Sequence, residues 1–177
     1  MKKIFLSALI LFGLLFGLQP NAHAFYPLYL NGNPDWVFTY GHTGGAWYLQ
    51  KSSMNVELYN PPFYIISVRV QSVGYDDRYD PMPIIGYGKV ETMRFYYDWY
   101  KREMYYQGRM FSENDGKWHY LTPVGPEQAT AIYMPTGEKA FYLAYRMKFY
   151  GSGEKVWYDN AASMYTYPKY GDEFYRL

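Results

Sequence analysis

The chain has no cysteine and only three histidines. Without thiols there is no disulfide framework, no lipid-bearing cysteine, no thiol nucleophile, no cysteine zinc site and no cysteine-held iron–sulfur cluster. Three histidines leave little for histidine-based metal or triad chemistry. Charge of one sign is lacking as well. Seventeen basic side chains against 16 acidic ones give a formal charge of +1, which offers no footprint for nucleic acid. No stretch reaches the roughly 18 apolar residues of a membrane-spanning helix. The 49% hydrophobic content excludes a disordered chain, and 177 residues suit one domain.

The N-terminus reads as an export signal. Lys2 and Lys3 precede an apolar run from Ile4 to Leu18, interrupted only by Ser7, Gly13 and Gly17. Gln19 and Pro20 break it, and Ala22-His23-Ala24 supplies the small-residue cleavage pattern. Fifteen helical residues would span about 22 Å, short of a roughly 30 Å hydrocarbon core. The expectation is a signal peptide over 1–24 and a single secreted, β-rich domain over 25–177. The mature protein would then reside in the periplasm, on the cell surface or in the medium of a bacterium. It would carry no transmembrane segment and keep only His42 and His119.

What the sequence has in abundance is aromatic rings: 24 Tyr, 11 Phe and 5 Trp. Many fall in segments of strand period. Trp36, Phe38 and Tyr40 alternate, Gly41–Gly45 supplies a turn, and Ala46–Gln50 returns as a hairpin. Ser52–Leu58 reads as a short continuation ended by Pro61-Pro62. Phe63–Val73 is a strand with Ile66, Val68 and Val70 on one face and Ser67, Arg69 and Gln71 on the other. Gly74–Gly88 reads as a long loop, and Lys89–Trp99 as the next strand. Lys101-Arg102-Glu103 is a turn before a strand over Met104–Met110. Asn114-Asp115-Gly116 is a hairpin signal, with Trp118–Leu121 returning. From Pro135 the period changes, and Ala140, Phe141, Ala144, Tyr145 and Lys148 mark an amphipathic helix over about 137–150. Thr136 reads as its N-cap and Gly151 as its C-terminal stop. Lys155–Tyr158 reads as a last short strand. The expected fold is α+β: an antiparallel sheet of about five to seven strands with one C-terminal amphipathic helix.

Catalytic patterns are sparse. Gly41-His42-Thr43-Gly44-Gly45 lacks the spacing and Lys-Ser/Thr of a phosphate loop and fits a hairpin turn. Gly151-Ser152-Gly153 lacks the outer glycines of a nucleophile elbow. Asp98, Glu103 and Glu57 lie near aromatic strands, as glycosidase acids do, but Lys101 and Arg102 make them ordinary strand-end charges too. Asp76-Asp77 with Asp80, and Asn31, Asn33 and Asp35, hint at calcium loops without the required glycine, and read as polar turns. His42 and His119 have no matched metal spacing. No catalytic residue, metal site or cofactor is expected.

The aromatic load itself is the strongest signal. In Met93–Tyr100 rings occupy both faces, with Phe95, Tyr97 and Trp99 on one and Tyr96 and Tyr100 on the other. Tyr105 and Tyr106 likewise point to opposite faces. One core buries one sheet face, so the second needs a cover: the helix, loops or a partner. Tyr and Trp suit a half-wet surface because a large ring buries area while its O–H or N–H keeps a hydrogen bond. Stacking on sugar rings uses the same chemistry. Tyr96, Tyr100, Tyr105, Tyr106 and Trp118 are the candidate interface residues.

Trp36-Val37-Phe38, Trp47–Met54 with the strand Ile65–Val73, and Met93–Asp98 with Gly116-Lys117-Trp118 together resemble the surface-adhesin E family of exported bacterial proteins. The resemblance covers about residues 35–120. It implies an antiparallel sheet with helical cover, a secreted or surface-attached protein, and binding of host proteins. The chain departs from the family's Tyr-Tyr-x-Asp-x-Ser-Ser stretch, reading Trp47-Tyr48-Leu49-Gln50-Lys51-Ser52-Ser53, and lacks the anchoring and disulfide cysteines of some members. The functional expectation is a non-enzymatic binding protein of the cell envelope or medium that takes a protein or a surface glycan through aromatic strands. A glycan-acting hydrolase or carbohydrate-binding module, and a structural envelope protein, are the alternatives.

Overall fold

The computed structural model describes residues 26–108, 115–123, 132–151, 157–159, 164–166 and 170–177. The export segment expected over 1–24 lies outside the described residues. Six strands form one antiparallel meander: β1 (Trp36–His42), β2 (Gly45–Asn60), β3 (Phe63–Tyr75), β4 (Ile84–Asp98), β5 (Glu103–Gln107) and β6 (Trp118–Leu121). One helix, α1 (Tyr133–Tyr145), follows, and then a separate two-stranded sheet of β7 (Trp157–Asp159) and β8 (Met164–Thr166). The fold is therefore α+β, as the alternating periodicity followed by helical period implied.

The hairpin between β1 and β2 turns on Thr43 and Gly44, whose φ angles of 44° and 73° give the backbone twist that two-residue hairpins need. Strand β2 runs unbroken to Asn60, where a short continuation was expected. It stays in the sheet by bulging. Gln50 pairs with Arg69, yet Asn55 pairs with Ser67, so extra β2 residues are looped out between them. Asp35 pins this bulge: its carboxylate accepts from the Gln50 amide at 3.0 Å and from the Ser52 N–H and hydroxyl at 2.7 Å each. These contacts give the Asn31–Asp35 stretch a structural role in place of a calcium site, and they hold the Asp35 carboxyl below the usual carboxylate range, the Ser52 hydroxyl foremost.

The loop expected over Gly74–Gly88 is shorter. Strand β3 continues to Tyr75 and β4 begins at Ile84. Gly86 and Gly88 lie inside a strand. At Gly88 a Cβ would sit 2.0 Å from the Ser72 hydroxyl, so the glycine reflects close strand approach and not a turn.

Helix α1 covers one face of the sheet. Beneath it lie Val37, Leu49, Tyr64, Ile66, Val68, Val70, Met93, Phe95, Tyr97, Met104 and Leu121, all buried. Phe141 of the helix sits at ring-centroid distances of 4.8 Å from Tyr97, 5.1 Å from Phe149 and 5.5 Å from Trp99. Such ring pairs add about 0.5–1.5 kcal/mol each beyond their area burial. The helix begins and ends earlier than 137–150. Pro135 lies in the first turn, where its missing N–H has no intrahelical acceptor to lose. Thr136 is inside the helix, not capping it: its hydroxyl donates to the Ile132 carbonyl at 2.6 Å. At the far end Arg146, not Gly151, takes the left-handed conformation (φ 57°) and donates its N–H to the Tyr142 carbonyl at 2.8 Å.

Glu138 explains where the chain goes next. Its buried carboxylate accepts from the Phe149 N–H at 2.9 Å, the Tyr150 N–H at 2.7 Å, the Gly151 N–H at 3.3 Å and the Tyr175 hydroxyl at 2.7 Å. One side chain thereby ties the helix, the 149–151 turn and the C-terminal 3-10 turn Asp172–Tyr175 together. Gly151 is required for this reason: a Cβ there would meet the Tyr175 hydroxyl at 1.9 Å. Burial pushes the Glu138 carboxyl up, against the pull of its four donors.

Candidate aromatic interaction surface

The second face of the sheet is divided in two. Toward the β1–β2 turn, Ala46, Tyr48, Val73 and Tyr75 are buried with Leu30, and Tyr26, Trp36, Phe38, Met82 and Ile84 pack around them. The cover is the protein's own: the N-terminal segment on one side and the β3–β4 connection on the other. The Tyr48 and Tyr75 hydroxyls lie 2.8 Å apart and satisfy each other inside.

Toward the other end the same face carries an aromatic strip. Strand register builds it. Leu58 pairs with Ile65, Ile65 with Tyr96, Tyr96 with Tyr105 and Tyr105 with Tyr120, so one rung crosses β2 to β6. Tyr96 stands 5.5 Å from Tyr105, 5.9 Å from Trp118 and 6.3 Å from Phe63, and Tyr105 stands 5.5 Å from Tyr120. Phe63 and Tyr120 are 37% and 43% exposed. The rings thus keep wet edges while stacking on each other, as half-buried cross-strand pairs do.

Charged groups border the strip. On one side Arg94 donates from Nε to both Glu57 oxygens at 3.0 Å, and it also bonds Gln107. Glu57 is the extra residue of a second β2 bulge, which turns it across β3 toward β4. Arg94 holds the Glu57 carboxyl below the usual range. The guanidinium also lies 5.5 Å over the Trp118 ring. On the other side Asp98 and Glu103 are direct cross-strand partners. Asp98 accepts from the Lys101 N–H at 3.0 Å, and Glu103 accepts from the Tyr105 hydroxyl at 2.7 Å. Burial first, then Glu103, pushes the Tyr105 phenol up to about 12.

Of the five residues the sequence singled out, Tyr96, Tyr105 and Trp118 come together in this strip. Tyr100 does not join them: it is 87% exposed in the β4–β5 turn. Tyr106 belongs to the opposite face, packed 4.2 Å from Tyr133 and 5.9 Å from Phe95 under the helix. Phe63, Tyr120 and Arg94 were missed, and Glu57 was weighed only as a glycosidase acid. Phe63 was legible from strand parity, since it shares a face with Ile65 and Ser67. Glu57 was not, because a bulge decides its direction.

Other candidates resolve into structural roles. Asp76 is bound to Arg78 at 2.6 Å. His42 is 2.6 Å from the Thr43 hydroxyl, and His119 is 3.0 Å from Asp115. The two histidines sit on the two outer strands of the sheet. Among the described residues no cluster of three or more His, Asp or Glu could hold a metal ion, and no helix is long and apolar enough to cross a membrane. Comparison with family models, curated proteins and solved structures gives no match for this chain.

Proposed function

We propose that this is an exported, non-enzymatic binding protein whose recognition surface is the aromatic strip of Phe63, Tyr96, Tyr105, Trp118 and Tyr120. The observation that carries the reading is the contrast within one sheet face. Half of it is closed by the chain's own N-terminal segment and β3–β4 connection, while the other half presents stacked rings with exposed edges between the Arg94–Glu57 ion pair and an acidic border. Tyr, Trp and Arg are the residues that anchor protein interfaces. The resemblance of residues 35–120 to exported adhesins and the signal-like N-terminus support the same direction. The charges at the border are already spent. Arg94 is engaged by Glu57, and the acids Asp98 and Glu103 are sheet neighbours with local donors and do not face each other across a groove. That placement supports recognition over glycan hydrolysis.

The test is retention on intact bacterial envelope and on host-matrix protein coats, comparing the wild type with a Tyr96→Ser/Trp118→Ala double variant. Retention of the wild type and its loss in the variant, with unchanged circular dichroism, is the expected result. Equal retention of both would remove the support. Release by soluble polysaccharide would move the ligand to a glycan. Concentration-dependent self-association that the variant abolishes would mark a structural envelope protein instead.

A further inference from the structure

A groove of about 550 Å3 lies between the N-terminal segment, β1, α1 and the C-terminal 3-10 turn. Its walls are Tyr26, Leu28, Phe38 and Phe174, with Lys139 and Arg176 as its basic residues. The size falls within the about 300–1,000 Å3 of small-molecule pockets, which share this apolar lining with a few placed polar groups. It is remote in sequence from every residue of the aromatic strip and goes beyond the reading given above.

The polar content of the groove is unusual. Lys139 is 1% exposed. Its ammonium donates to the Phe174 carbonyl and, at 3.4 Å, to the Arg176 carbonyl, and it stands 4.4 Å over the Phe174 ring. Those contacts use two of its three hydrogens. No carboxylate among the described residues pairs with it. A buried cation without a counter-ion is costly, and here burial alone pulls the amine down to about 8. An anion at this point would restore the balance. Glu173, also on the groove, is 2.6 Å from Arg176, so the basic end tolerates one added negative charge better than two.

We infer that this groove binds a single-chain carboxylic acid, with its alkyl chain between Tyr26, Leu28, Phe38 and Phe174 and its carboxylate at the Lys139 ammonium beside Arg176. The test is a titration of the purified protein with laurate and with dodecanol, read by displacement of a fluorescent fatty acid. Laurate should bind saturably at one site, and dodecanol should bind more than about tenfold more weakly. Lys139→Met should weaken laurate by a similar factor. Arg176→Glu, at an exposed position, should weaken it several-fold with the fold intact. Tyr96→Ser/Trp118→Ala should leave laurate binding unchanged, which separates this site from the strip. Equal binding of laurate and dodecanol, absence of saturable binding, or laurate affinity indifferent to both charge variants would each overturn the inference. If Lys139→Met does not fold, the laurate–dodecanol comparison and Arg176→Glu decide it.

Discussion

Removing the Glu138 carboxylate should loosen the 149–151 turn and the C-terminal 3-10 turn from helix α1. Glu138→Ala leaves four donors without their acceptor: the N–H groups of Phe149, Tyr150 and Gly151 and the Tyr175 hydroxyl. A buried donor left unpaired costs about 1–3 kcal/mol, and hydrogen bonds to a charged acceptor contribute about 1.5–3 kcal/mol each. Two terms reduce the sum. Gly151 is half-buried, so its N–H regains water. The desolvation of a buried carboxylate, several kcal/mol, is also relieved. A net loss of about 4 kcal/mol follows, against a total stability of about 5–15 kcal/mol for a domain. Glu138→Gln keeps one acceptor oxygen but sets an amide N–H2 against the Tyr150 N–H, for about 2 kcal/mol. Urea denaturation followed by near-ultraviolet circular dichroism, which reads the tyrosines directly, is the assay. A loss below about 1 kcal/mol for Glu138→Ala would refute the idea that this carboxylate fastens the C-terminal segment.

Titration should add a second signature at the same residue. Because burial raises the Glu138 carboxyl above its ordinary value, the native state holds a proton there that the unfolded chain has already released. Wild-type stability should therefore fall relative to Glu138→Gln as pH rises through that window, and a flat difference across pH 4–8 in matched urea curves would contradict the assignment. Asp35 should behave oppositely: its lowered carboxyl stabilises the β2 bulge above the ordinary range, and wild type should lose its advantage over Asp35→Asn as pH falls through the folded value. Gly137→Ala should destabilise by about 2 kcal/mol, although alanine favours helix, because the added Cβ would stand 2.4 Å from the Met104 sulfur and 2.9 Å from the Phe95 ring. A gain in melting temperature would refute that packing argument. Tyr48→Phe should cost about 1 kcal/mol by stranding the Tyr75 hydroxyl, measured by thermal unfolding.

Strand existence was legible in the sequence wherever apolar residues alternated, as at Phe63–Val73, and β6 begins and ends at Trp118 and Leu121 as its pattern implied. Boundaries failed where one residue type serves two purposes. Gly86 and Gly88 read as loop because glycine usually marks a turn, but both lie inside β4, and at Gly88 glycine admits a close neighbouring strand. Thr136 reads as a cap because threonine often caps, yet its hydroxyl bonds back to Ile132 inside the helix. Glu138 and Lys139 belong to residue types that are mostly exposed, so their type gives no signal of burial. Glu138 nevertheless shares a helical stripe with Phe141 and Tyr145, three and seven residues on, and that spacing was the available signal for its burial. No local pattern announces that the chain returns through Tyr175 to meet it. Of the five candidate surface residues, Tyr96, Tyr105 and Trp118 share one strip, while Tyr106 could be assigned to the core only once the helix position was known.

Tyrosine does three different jobs on this sheet, and the neighbours decide which. Under α1, Tyr97 and Tyr150 are fully enclosed and give their hydroxyls to the Gly137 and Leu121 carbonyls. Beneath the N-terminal segment, Tyr48 and Tyr75 satisfy each other. In the strip, Tyr105 binds a carboxylate at the rim, and Tyr96 is shifted upward by burial and by Asp98 and Glu103 without being enclosed. Enclosed phenols with spent hydroxyls contribute to folding. Phenols held at a charged rim keep an edge and a face for another molecule. On that division, Tyr120→Phe at 43% exposure should leave the unfolding free energy from urea curves within about 0.5 kcal/mol of wild type. Tyr97→Phe, which deletes the buried hydroxyl's bond to the Gly137 carbonyl in the core, should lower it by about 1 kcal/mol. Similar costs for the two substitutions would mean that the strip belongs to the core and not to a recognition surface.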